Sequence, residues 1–228
     1  PTTMTTWYQH IDELKTKTTI QNTDKKIIAK TLAQHIENTI VSQGRLAAGK
    51  GNIGLLFSGG VDSSIIGFIL HKHNIPFSAI TIGFQDNKEQ KLPEDIMQAR
   101  SIAQELGFSH YERIYNFADM EKLFKQTSSI LGKELSNAVN IGVGSVEVAG
   151  MNFLLELGGH TQLFGGLGSE EIFAGYQRHK EADDVHNECW AGLRNMFTRD
   201  LLREFAIAQH FNVELWAPFL SDDLIMYS

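Results

Sequence analysis

A chain of 228 residues with 42% hydrophobic and 21% charged side chains has ordinary globular composition, and it can bury a full core without a metal or disulfide staple. Twenty Lys+Arg against 27 Asp+Glu give a net charge of −7, which argues against a general nucleic-acid or anionic-membrane surface and leaves room only for a small local basic site. The single cysteine, Cys189, excludes an internal disulfide, a Cys-x-x-Cys redox pair, a cysteine-rich zinc site and an iron–sulfur cluster, and fits a reducing cytoplasm. The segment from Pro1 to His10 has no apolar signal core, and no apolar run is expected to reach the ~18 residues that span a bilayer.

Residues 1–23 read as an N-terminal extension and 24–228 as one domain. Ile27, Ile28, Leu32, Ile36 and Ile40 recur at helical spacing behind the capping candidate Thr23, which predicts a helix over 24–43, ended by a glycine-rich loop from Gln43 to Asn52. The unbroken apolar run Ile53 to Phe57 predicts a strand covered on both faces, and Asp62 to Lys72, with Ile65, Ile66, Phe68, Ile69 and Leu70, predicts a helix. Phe77 to Phe84 is β-rich and completes a βαβ unit. A polar stretch, Gln85 to Pro93, leads into a helix that runs to Leu106 and closes at Gly107, followed by a third strand, His110 to Tyr115. Helical patterns over 118–131 and 144–157 and a strand from Thr161 to Phe164 continue the alternation. Such alternation predicts an α/β fold, a doubly wound parallel sheet with helices on both faces, with ligands at the carboxyl ends of the strands. Trp190, Leu193 and Phe197 recur at helical spacing and read as core.

Three glycine motifs compete for a phosphate. Gly44-x-x-x-x-Gly49-Lys50-Gly51 lacks the hydroxyl residue after the lysine and lies between a helix and a strand, the reverse of the order a nucleotide loop requires. Gly142-x-Gly144 lacks a third glycine and reads better as helix packing. Ser58-Gly59-Gly60-Val61-Asp62-Ser63-Ser64 directly follows a hydrophobic strand and opens an apolar helix, where backbone N–H groups and the helix dipole favour an anion. A carboxylate beside a polyphosphate requires a cation between them, so Asp62 implies magnesium. The bland alternative is a plain Ser-Gly-Gly turn with Asp62 or Ser63 as a helix cap.

The Ser58-Gly59-Gly60-Val61-Asp62-Ser63 segment resembles the Ser-Gly-Gly-x-Asp-Ser motif of the PP-loop ATP pyrophosphatases. Within that superfamily, Gly168-Ser169-Glu170-Glu171-Ile172-Phe173-Ala174-Gly175-Tyr176 is similar to the Gly-Ser-Asp-Glu-x-Phe-x-Gly-Tyr segment of asparagine synthetases. Ala217-Pro218-Phe219-Leu220 is similar to their Val-Pro-Phe-Leu stretch, and His110 stands where they carry His-His-Glu. The resemblance covers roughly residues 24–225. It implies attack of a substrate oxygen on the α-phosphorus of ATP, release of pyrophosphate, and opening of the adenylated substrate by ammonia or an amine. By the same resemblance Asp62 and Glu170 would hold magnesium, and the 58–64 loop the phosphates. The adenosine would lie against main chain near Phe57, Ile82, Gly83, Gly165 and Gly166. Arg178-His179-Lys180, similar to an Arg-His stretch of divergent members, could give positive charge to phosphates or to an acidic substrate, or else form a solvated helix end.

Departures from the pattern bear on the product. Asparagine synthetases carry a glutamate two residues before the serine of the second motif, and Leu167 stands there. The last lysine is Lys180, and no arginine lies between Ile114 and Gln177 to clamp a side-chain carboxylate. The segment before the 24–43 helix is too short for a glutaminase, so ammonia is expected from outside or from a separate glutaminase. The implied partners are a small-molecule substrate and, as an open question, a second copy of the chain, with membrane and nucleic acid disfavoured. Two alternatives to the synthetase stay open: a nucleotide-binding sensor or scaffold without synthesis, and an RNA-modifying adenylase. His71-x-His73 lacks a third metal ligand, and Cys189 beside Trp190 reads as a packed thiol.

Overall fold

The computed structural model describes residues 3–18, 24–86 and 91–228. Thr23 and the middle of the polar stretch before Pro93 lie outside the described residues. The chain divides into two compact units. One comprises Pro1–Ser42, Gly166–Leu202 and Ala217–Ser228, the other Gln43–Gly165 and Arg203–Trp216.

The second unit carries the sheet. Strands β1 (Ile53–Leu56), β2 (Ser78–Phe84), β3 (His110–Tyr115), β4 (Gln162–Phe164) and β5 (Glu214–Trp216) lie in the order β3-β2-β1-β4-β5, with every neighbouring pair parallel. Between them run α3 (Val61–Lys72), α4 (Glu94–Leu106), α5 (Phe117–Leu135), α6 (Ala138–Gly158) and, before β5, α10 (Leu202–Phe211). Successive strand residues face opposite sides. A Cβ on Gly54 would meet the Leu154 side chain of α6 at 2.5 Å, and the Leu55 side chain lies 3.3 Å from the Cβ position of Gly67 on α3, so α6 and α3 cover opposite faces. The sheet is therefore doubly wound, as the alternation predicts. The core on the α6 face gathers Ile80, Leu123, Val148, Ala149, Leu154 and Leu163.

Two expectations change. Helix α2 runs over Lys25–Ala48, so the glycine-rich loop begins only after Ala48. Gly44 sits inside the helix, where a Cβ would press into Leu70 at 2.7 Å and Ile75 at 3.0 Å; it serves close packing, and the kinase-like reading of Gly44–Gly51 fails. Helix α6 begins at Ala138, capped by Asn137, and is long and apolar enough to cross a membrane by length and composition, contrary to the expectation that no run approaches that size. Its buried face packs on β1, β2 and α5 as a core helix. A Cβ on Gly144 would meet Thr127 and Ile207 at 3.1 and 3.2 Å, the packing role expected of it.

The first unit is helical. The N-terminal extension contains α1 (Met4–Lys17), capped by Thr3, which buries Trp7, Ile11 and Leu14; Trp7 Nε1 donates to the Leu193 carbonyl at 3.0 Å. It also holds the larger part of α2, short helices α7 (Ser169–Ile172) and α8 (Gln177–Glu181), α9 (Val185–Met196), a π-helical turn Phe197–Leu201 and, after a 3-10 turn at Pro218–Leu220, α11 (Asp222–Tyr227). Trp190, Leu193 and Phe197 are buried, as their spacing predicts.

The second unit also buries an ionic group. Arg203 of α10, 5% exposed, bonds Glu204 at 2.8 Å and Asn140 at 3.4 Å, with Glu147 of α6 at 3.6 Å. Burial, and then the charge of Glu204, pushes the Glu147 carboxyl well above the ordinary carboxylate range. Folding thus raises this pKa: the folded state keeps a proton that the unfolded chain loses from about pH 4.5 upward, and stability falls as pH rises through the folded value. Glu147→Gln, which cannot ionise, is expected to lose less stability than the parent between about pH 5 and pH 8, with a limiting slope of about 1.4 kcal/mol per pH unit removed. Urea unfolding at both pH values checks this, and parallel losses in the two proteins would contradict it.

Candidate active site

The carboxyl end of β1 turns into α3 through the segment Ser58–Gly60. Phe57 is buried, and its N–H donates to the Ile80 carbonyl at 2.8 Å, the last main-chain tie to β2 before the chain departs. At Gly59 φ is +73°, and a Cβ there would lie 2.9 Å from the main-chain N and Cα of Ala99 on α4. Only glycine meets both demands. Gln98 Nε2 donates to the Gly59 carbonyl at 3.0 Å, Gly60 N–H donates to Ser58 Oγ at 3.1 Å, and Ser58 N–H to Ser63 Oγ at 3.3 Å. The two serines thus hold the loop to itself rather than capping the helix.

Helix α3 starts with Gly60 as its N-cap and no side-chain cap, so the N–H groups of Val61, Asp62 and Ser63 stand at the positive end of a 12-residue helix without an intrahelical acceptor. The Ser64 hydroxyl is buried without a hydrogen-bond partner. Uncapped donors, the dipole and an orphaned hydroxyl suit a polyphosphate. Asp62 is on the same turn, and its carboxylate is an oxygen ligand of the kind that could hold a divalent cation. Among the described residues no group of three His, Cys, Asp or Glu could hold a metal, His71 and His73 included, so a cation here would complete its shell with phosphate oxygens and water.

The other main-chain candidates of this unit share that edge. Leu56 pairs with Ile80 and Leu55 with Phe164, which places Ile82 and Gly83 beyond the end of β1 on one side and Gly165 on the other. Gly165 N–H donates to the Trp216 carbonyl at 3.1 Å and has open space where a Cβ would stand, whereas Gly83 is covered by Ile96 at 2.7 Å. Phe57, Ser58, Gly59, Gly60, Asp62, Ser63, Ser64, Ile82, Gly83 and Gly165 thus gather at one carboxyl edge.

Gly166, Glu170, Arg178 and His179 belong to the first unit. The Gly166 carbonyl accepts from Ser169 Oγ at 2.9 Å, and Gly168, φ +96°, turns into α7 with the Leu220 side chain where a Cβ would be. The two asparagine-synthetase-like segments are therefore packed together within this unit. Glu170 lies with its carboxylate over Gly175, and Leu167 is half-buried. The positive cluster read at 178–180 is corrected. Arg178 pairs with Glu171 at 3.5 Å and Glu188 at 3.2 Å and stacks on Tyr176 at 4.1 Å, and His179 is 1% exposed, its Nδ1 accepting from the Tyr176 N–H at 3.3 Å. Only Lys180 is exposed to solvent. Glu171, 1% exposed and also paired with Arg199 from the π-helical turn, is the acid that organises this region. Its neighbour Glu170 drew the sequence reading because charge alone does not tell a buried acid from a half-exposed one. Burial pushes the Cys189 thiol up, as befits a packed side chain.

The family described as asparagine synthase matches residues 32–189. The chain belongs to the asparagine synthase family. It is 26% identical to the human glutamine-hydrolyzing asparagine synthetase over 184 residues, 77% of this chain and 31% of that protein. To a putative glutamine-hydrolyzing asparagine synthetase of Methanocaldococcus jannaschii it is 24% identical over 201 residues, 85% of this chain and 35% of that one. It thus spans about a third of these curated relatives. Among solved structures it is similar to a U34-tRNA thiolase from Methanococcus maripaludis with a [4Fe-4S] cluster (TM-score 0.44, 18% identity, 90% of this chain and 64% of that one). An NH3-dependent NAD synthetase from Campylobacter jejuni gives a TM-score of 0.41 at 16% identity, covering 68% of this chain and 62% of that one.

For this member of the asparagine synthase family, the geometry separates two glycines of the candidate site. Gly59→Ala is expected to lower stability by about 1–2 kcal/mol from the left-handed φ alone, and more from the fixed Ala99 backbone. Gly165→Ala, entering open space, should stay within about 0.5 kcal/mol of the parent. Urea denaturation of both variants checks the contrast, and equal losses would refute it.

Proposed function

We propose that this chain binds ATP with magnesium at the Ser58–Ser64 loop and directs adenylation of a small carboxylate or amide, which ammonia or an amine then opens. Membership of a family of ATP-dependent amide-forming enzymes supports the class of reaction. The single observation that carries the site is the uncapped start of α3 beside the unpartnered Ser64 hydroxyl. In this reading the first-turn N–H groups and the serine hydroxyls bind and orient the phosphates, and Gly59 lets the main chain approach them. Asp62 would hold magnesium, whose chemistry there is to neutralise the charge of the leaving pyrophosphate. Main chain at Ile82 and Gly165 would line the adenosine.

A second reading keeps the nucleotide and drops the synthesis. Arg178 is paired with Glu171 and Glu188, and Leu167 offers neither charge nor a hydrogen bond, so these two positions do not stabilise a charged tetrahedral state. Loss of one such group typically costs about 10²–10³ in rate. Pyrophosphate release, screened across small acids and amides with ammonium present, separates the two readings.

Asp62→Asn is expected to weaken ATP–magnesium affinity at least about tenfold, roughly 1.4 kcal/mol, while leaving binding of metal-free ATP nearly unchanged. Calorimetric titration with and without magnesium measures both, and equal ATP–magnesium affinity in the two proteins would exclude Asp62 as the ligand. With a turned-over acceptor, chromatography should find AMP and pyrophosphate in equal amounts; stoichiometric ADP would overturn cleavage at the α-phosphorus.

A further inference from the structure

Beneath the loop lies a chain of hydrogen bonds that the reading above does not use. Thr81, in the middle of β2 and 5% exposed, donates from Oγ1 to the Phe57 carbonyl at 2.5 Å. The same oxygen lies 2.6 Å from His110 Nε2 at the start of β3. The His110 ring also packs edge-on against Phe57, with 5.7 Å between centroids, and Phe57 in turn meets Phe108 at 5.2 Å.

The direction of this chain is forced by chemistry. A carbonyl only accepts, so the one proton of the Thr81 hydroxyl goes to Phe57, and the hydroxyl oxygen must accept from His110. Burial holds the His110 pKa below its ordinary value; Glu112 would raise it and Arg100 lower it, and these two are engaged with each other at 2.5 Å. A neutral imidazole has one N–H, and here it must be at Nε2. We propose that His110 and Thr81 are positioning residues for the nucleotide loop. His110 orients the Thr81 hydroxyl, and Thr81 fixes the Phe57 carbonyl, the peptide from which Ser58 and Gly59 leave the sheet.

The consequence is one of preorganisation. Gly59 and Gly60 give the loop its shape but bring no side chain to hold it, and the serine bonds within it tie it only to itself. The Thr81 hydroxyl bonds the Phe57 carbonyl, where the loop leaves the sheet, to β2, as Gln98 bonds the Gly59 carbonyl to α4, with no change in charge near the phosphates. That suits a site whose donors must already be aimed when the ligand arrives. The proposal rests on the reading of Ser58–Ser64 as the phosphate cradle for its effect on affinity, but not for its effect on the loop.

The test uses the full chain and three variants, Thr81→Val, Thr81→Ser and His110→Phe. Imidazole nitrogen NMR of the parent protein should show the Nε2–H tautomer of His110. Thr81→Val should speed amide exchange across Ser58–Ser63 and weaken ATP–magnesium affinity about tenfold, while Thr81→Ser, which keeps the hydroxyl, restores both. His110→Phe should fall between them. An Nδ1–H tautomer overturns the proposal, even if no variant folds. So does a Thr81→Ser as damaging as Thr81→Val, or a Thr81→Val with parental exchange and affinity. If the parent binds no ATP yet the valine loosens the loop and the serine restores it, the nucleotide reading fails and the positioning role stands.

Discussion

At Gly59 the chain turns with φ +73° while the main chain of Ala99 occupies the space in which any side chain would begin, 2.9 Å away. Neither demand can be relaxed by a neighbouring side chain moving aside, because what lies opposite is backbone. The approach fixes where β1 releases the chain and where α3 takes it up, and Gln98, one residue before Ala99, ties the Gly59 carbonyl to the same helix. Helix α3 consequently opens without a side-chain cap. The serines around it, residue types that would ordinarily cap a helix, are turned inward on the loop instead. A helix start without a side-chain cap gives up about 1 kcal/mol of capping.

The first unit handles charge in the opposite way. Glu171 is buried, a costly state for a carboxylate unless its charge is matched. Arg178 and Arg199 match it from two sides, with Tyr176 beneath both guanidinium groups. The π-helical turn that carries Arg199 and Asp200 fits this arrangement, since such turns re-aim side chains within a continuous helix. Glu188 and Asp200 draw further on the same two arginines, so the cluster carries no surplus of positive charge. Its cations are engaged in holding the buried Glu171 in place.

How much of this was legible in the sequence follows from which physical signal each element carries. The sheet was readable because β1, β2 and β4 are buried on both faces and show as short apolar runs, and α4 because Gly107 ends it in the left-handed conformation, φ +81°. The start of α6 was not, because Val139 and Val143 are exposed and invert the pattern by which a helix face is found. Strand β5 is three residues of half-exposed edge, too short for any periodicity, and α1 is a mostly polar helix whose buried face is only Trp7, Ile11 and Leu14. The Ser58–Gly60 turn from β1 into α3 was legible residue by residue, since two glycines between an apolar strand and an apolar helix mark a tight turn. Thr81 was invisible: a β-branched residue in a strand needs no explanation, and its role depends on a carbonyl 24 positions away.

The two halves of the candidate chemistry therefore rest on different kinds of structure. At the carboxyl edge of β1 the second unit offers main-chain N–H groups, small residues and neutral hydrogen bonds. In the first unit the corresponding positions carry an apolar side chain, Leu167, and an arginine, Arg178, paired with two carboxylates. Backbone-held chemistry tolerates wide change in side chains, whereas side-chain-held specificity is lost with one substitution. The main-chain arrangement at the edge of β1 and the charged cluster around Glu171 are thus built from different interactions, and a substitution in one leaves the other's contacts in place.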